Sequence, residues 1–140
     1  MANLAMSNKT PKGLIAVEAA LILPIILVLT FGALEYGWFF LKAQDTTNAA
    51  RQGARVACRP DAALGDVLTA ISALMNAADM GGSGYVVTVT PGAIGEMEAG
   101  EMLTVEIVVP YRGSLEFIGV PLIPVPESIR ASVTMAKEGP

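Results

Sequence analysis

The hydrophobic pattern changes character three times along the chain, and each change marks an element. From Leu14 to Leu34 apolar residues follow one another with Glu18 as the only charge. About 20 such residues make a helix that spans a hydrocarbon core, so this stretch predicts one transmembrane helix. "YGWFFL" (Tyr36 to Leu41) prolongs it as an interfacial aromatic belt would, to residue 41. No strong breaker comes before Pro60, so the helix is expected to continue outward as a stem over residues 42–60. Leu14 to Cys58 as one helix measures roughly 65 Å. Pro24 lacks an N–H and its ring opposes the carbonyl of Ala20, which predicts a kink inside the membrane.

Beyond Pro60 the period is helical again. Leu64, Val67, Leu68, Ile71, Leu74, Met75 and Ala78 share one face, Asp61 is placed to cap, and Gly81, Gly82 and Gly84 end the run. Three strands follow at Tyr85–Thr90, Glu101–Pro110 and Ser128–Ala136. In the second, Leu103, Val105, Ile107 and Val109 alternate with outward positions. The expected fold is α+β: a long N-terminal transmembrane helix and stem, a second amphipathic helix, and a small antiparallel meander of about three strands, with residues 61–140 forming an outer α/β module. The link before the last strand carries Pro121, Pro124 and Pro126 among Phe117, Ile118, Val120, Leu122, Ile123 and Val125, too apolar for an idle loop; it either caps the core or offers a docking surface.

Two faces of the stem stand out. Ala43, Thr47, Ala50, Ala54 and Ala57 form a narrow stripe of small side chains that lets another backbone approach closely, either the chain's own next element or a neighbouring subunit. Arg51, Arg55 and Arg59 form a basic stripe on another face, either solvated or docked on acidic surface.

Charge and composition narrow the function. Lys9, Lys12 and the terminal amine precede the apolar run without an acid among them, which puts the N-terminus in the cytoplasm and the remainder outside. A secretory signal cut near "TFGA" (Thr30 to Ala33) is the rival reading, opposed by the aromatic continuation. After Pro60 ten acids face only Arg112, Arg130 and Lys137, so nucleic acid is not an expected partner. The chain has no histidine, and its one cysteine, Cys58, has no imidazole to activate it; it is read as a small buried hydrophobe or an intermolecular bridge. Glu96, Glu98 and Glu101 lack the spacing of a calcium loop and read as a solvated turn. No enzyme, metal or cofactor is expected.

Glu18 is then the residue that needs a reason, because a carboxylate inside a membrane segment is expensive unless it is paired. A basic leader (residues 1–13), Gly13, and an apolar helix from Leu14 with Glu18 as its fifth residue resemble a type IV prepilin. The resemblance implies cleavage between Gly13 and Leu14 by a prepilin peptidase. It also implies pairing of Glu18 with the new ammonium group of a neighbouring subunit. Further along, Val17-Glu18, Pro24, Gly32, Glu35-Tyr36-Gly37, Asn48-Ala49-Ala50-Arg51, Gly53-Ala54-Arg55 and the terminal "ASVTMAKE" resemble the TadE-like family, pilin-like proteins of the tight-adherence system that assembles Flp pili. Ala19 stands where pilin-like proteins of this system often carry Tyr. The resemblance implies a bacterial inner-membrane pseudopilin, in contact with lipid, prepilin peptidase, other pilin-like subunits and the assembly platform. A scaffold or binding protein that is anchored but never processed is the alternative.

Overall fold

The computed structural model describes residues 12–119 and 123–139. The leader up to residue 11, and Val120, Pro121 and Leu122 of the apolar link, lie outside those residues. Helix α1 runs unbroken from Lys12 to Ala57 over 46 residues, about 69 Å at 1.5 Å per residue. The helix is not interrupted at Pro24. Its apolar half is bare: residues 15–31 are exposed throughout, and Glu35 is the first buried side chain. By length and composition this helix can cross a membrane.

Helix α2 (Leu64–Ala77) buries Val67, Ile71 and Met75 at the expected spacing. It starts three residues beyond Asp61, and the carboxylate at its N-terminus belongs to Asp66, which accepts from the Ala63 N–H at 3.1 Å. The capping role expected of Asp61 therefore falls to Asp66. Strands β1 (Val86–Thr90), β2 (Met102–Pro110) and β3 (Ser128–Ala136) form one antiparallel meander in the order β1-β2-β3. Leu103, Val105, Ile107 and Val109 are fully buried, and the register sets Met135, Val133, Ala131 and Ile129 opposite them. The other face is polar: the Thr104 and Thr134 hydroxyls meet at 2.8 Å, and Arg130 pairs with Glu106 at 2.8 Å. A sheet with one wet face needs the alternation seen in β2.

The outer half of α1 packs on α2 and on the inner face of β2 and β3, and small residues make that possible. Ala50, Ala54 and Ala57 have no exposed surface. A Cβ on Gly53 would lie 2.6 Å from Ile71 Cδ1. Most of the small-residue stripe is thus covered by the chain's own elements, and these three alanines are not open to a neighbouring subunit. Only Ala43 and Thr47 stay half-buried, at the edge of an open groove shared with Phe40, Gln44, Asn48 and Arg51. Ala54→Leu forces added methylenes into this core and is expected to destabilise the folded head by about 1–3 kcal/mol. Denaturant unfolding of the detergent-solubilised chain, without partner subunits, checks this; wild-type stability there would place Ala54 at a surface.

Candidate functional site

Two carboxylates divide α1 into its working parts. Glu18, six residues from the start of α1, is exposed, and among the described residues no ion pair includes it. Glu35, at the end of the bare stretch, is 1% exposed and fully engaged. One oxygen, Oε1, accepts from the Tyr111 hydroxyl at 2.7 Å and the Phe117 N–H at 3.1 Å, and Oε2 accepts from the Ile118 N–H at 2.8 Å. Hydrogen bonds to a charged acceptor are the stronger kind, and these three draw the link after β2 onto the helix. Burial, and then the hydrogen bond to Glu35, push the Tyr111 phenol well above its ordinary range, so it serves as a donor at any physiological pH.

The same link makes two further contacts with α1. The Trp38 indole N–H donates to the Leu115 carbonyl at 2.8 Å while its ring packs against Phe117, and the Tyr36 hydroxyl donates to the Pro124 carbonyl at 2.5 Å. Phe39 meets Tyr111 edge-on with centroids 5.0 Å apart. Ile123 and Val125 are buried. The apolar link thus closes the core, the first of the two alternatives left open by its composition, while Phe117 remains 57% exposed.

Two buried lysines lock helix ends. Lys42 donates to the carbonyl of Ala78, the C-cap of α2, and sits 4.5 Å over the Trp38 ring. Lys137, just past β3, donates to the carbonyls of Ala57 (3.3 Å) and Arg59 (2.6 Å) at the end of α1. Each ammonium sits where the last carbonyls of a helix lack partners and the helix dipole favours a cation. Cys58 is buried beside this joint, and burial, then the nearby Glu138 carboxylate, push its thiol up. That fits the small-hydrophobe reading and disfavours a reactive thiolate.

The Arg51, Arg55 and Arg59 side chains are all exposed, and the single ion pair among the described residues is elsewhere, between Arg130 and Glu106. Among the described residues no group of three or more His, Cys, Asp or Glu side chains is placed to hold a metal. In the turn with Glu96 and Glu98, the Glu101 carboxylate accepts the Glu98 N–H at 2.9 Å. Gly13 and Leu14 lie in the first turn of α1, five and four residues ahead of Glu18.

A family model described as TadE-like protein matches residues 13–55. This segment is TadE-like. It begins at Gly13 and takes in the whole bare helix, Glu18, Glu35, Lys42 and two of the three stripe arginines, and it stops before α2 and the sheet. No significant match was found among curated proteins or among solved structures. The contacts that fasten the head to this helix therefore join the matched segment to residues that the family model does not cover. Sequence reasoning took Glu35 only as part of the family resemblance and gave no structural role to Glu35, Lys42, Tyr111 or Lys137. A lone acid closing an apolar run among aromatics was the one available hint for Glu35.

Proposed function

We propose that this chain is a non-enzymatic pseudopilin, a minor pilin-like subunit in the biogenesis of Flp-type pili of the tight-adherence system. The observation that carries the reading is the TadE-like helix itself: bare over one membrane length, bearing Glu18 near its start, and continuous with the core of a folded head. The N-terminus is cytoplasmic and the head periplasmic, in a bacterial inner membrane, as the basic residues before the span suggest. Prepilin peptidase cuts between Gly13 and Leu14. The released ammonium lies about one helical turn from Glu18, and Glu18 offers a neighbouring subunit's ammonium the counter-charge that hydrocarbon cannot. The exposed stripe of Arg51, Arg55 and Arg59 and the groove beside Ala43 and Thr47 are the faces left for other pilin-like subunits or the assembly platform.

The mature chain is expected to begin at Leu14. Intact-mass measurement on protein from membranes of cells with active prepilin peptidase checks this. A dominant species retaining residues 1–13 would favour the unprocessed, anchored scaffold instead.

A further inference from the structure

Where the link after β2 meets α1, two link amides and the indole N–H are paired within the joint, and one side of the joint presents apolar groups outward. The Phe117 and Ile118 amides are satisfied by Glu35, and the Trp38 indole N–H by the Leu115 carbonyl. Outward, Ala33, Leu34, Gly37, Trp38, Leu41 and Phe117 line an open apolar groove of about 380 Å³. Leu34, Leu41 and Phe117 are all exposed there. An apolar rim whose Phe117 and Ile118 amides and Trp38 indole N–H are already paired suits a segment at the edge of hydrocarbon, and a ring with a polar tip suits the headgroup level.

Its height along the helix decides the occupant. Counting from Leu14, where the apolar run begins, 20 residues rise about 30 Å, one hydrocarbon thickness, and end at Ala33, beside Leu34. Leu34 is itself part of the groove, so this patch continues the lipid-facing surface of the span without a break.

We infer that the head seats on the bilayer through this patch: the Phe117 side chain enters the glycerol and upper acyl region beside Trp38, and lipid acyl chains fill the groove. Glu35 acts as the positioning residue, since its hold on the Phe117 and Ile118 amides keeps the phenyl ring turned toward the lipid. The inference rests on α1 spanning the membrane.

Trp38 is the sole tryptophan of the chain, which makes the test direct. The full chain carrying Trp38→Phe and Phe117→Trp is reconstituted in phosphatidylcholine–phosphatidylglycerol vesicles whose acyl chains are brominated either near the headgroup or near the chain end. The expected result is loss of emission from the Phe117→Trp indole, greater with the shallow bromines than with the deep ones. Undiminished emission from chains that float with the vesicles overturns the seating and leaves the span intact, as it would if a second protein rather than lipid covered the groove. Chains that fail to float overturn the span and the seating together. Should the double variant not fold, a nitroxide on Phe117→Cys in a Cys58→Ala chain with Trp38 kept gives the same decision. Collisions with oxygen exceeding those with a water-soluble nickel chelate support the seating, and the reverse overturns it.

Discussion

Glu35→Ala in the full-length, detergent-solubilised chain is expected to lower the stability of the head by about 2–4 kcal/mol, a large share of the 5–15 kcal/mol that holds a typical domain together. The substitution removes one acceptor and leaves three donors, the Tyr111 hydroxyl and the Phe117 and Ile118 amides, without the partner that all three share. A buried donor left unpaired costs about 1–3 kcal/mol. The full sum is not expected, because Phe117 is exposed and water can reach its amide once the link loosens. Urea unfolding followed by Trp38 emission reads the change where it occurs, since Trp38 packs on the same link. Glu35→Gln keeps the shape and an acceptor oxygen but loses the charge, and a smaller loss is expected. A Glu35→Ala chain within about 0.5 kcal/mol of wild type, the range of an ordinary surface substitution, would show that the link is held by its apolar contacts alone.

Glu18→Gln is expected to leave processing intact and to abolish pilus assembly. Glutamine has nearly the same shape and can still hydrogen-bond, but it cannot neutralise the ammonium that the proposed cleavage would create at Leu14, whose burial in hydrocarbon without a counter-charge costs several kcal/mol. The head should be indifferent, because Glu18 is exposed in the bare part of α1, well away from the Glu35 joint. Mass gives the processing, unfolding the stability, and pilus counts at normal protein level the assembly. A variant that is cut, stable and fully piliated would leave Glu18 without the role assigned to it. The two carboxylates thus separate cleanly: loss of Glu35 is read in the isolated chain, loss of Glu18 only in the assembled machine.

The elements were legible because they are set by local period. The unbroken run through the small-residue stem foretold α1, and strict alternation in Leu103, Val105, Ile107 and Val109 foretold both β2 and its buried face. What occupies the other side of a face is not local. The stripe of Ala50, Ala54 and Ala57 says only that something comes close; that it is the chain's own α2 and sheet depends on how the chain folds back after Pro60. Glu35 and Tyr111 are 76 residues apart and meet in a single hydrogen bond, a pairing no spacing rule contains. Nothing in the sequence singles out Lys42 or Lys137. Each is buried only because a helix end from elsewhere in the fold presents its carbonyls to it. Asp61 shows the opposite error, a good capping residue passed over when the turn after Pro60 placed the helix start three residues later.

That α1 is one helix, with no joint between its bare half and the core of the head, gives the molecule a single angular coordinate. Glu18 and Glu35 are separated by 17 positions, which on an ideal helix sets them about 26 Å apart along the axis and about 100° apart around it. Whatever surface fixes the azimuth of the head also aims the carboxylate at the far end of the span. A single residue inserted between them would swing Glu18 through about 100° while changing its depth by only about 1.5 Å; four residues would bring it back to within about 40° but one turn deeper. The helix is a crankshaft as well as an anchor, and its phase is part of what the sequence specifies.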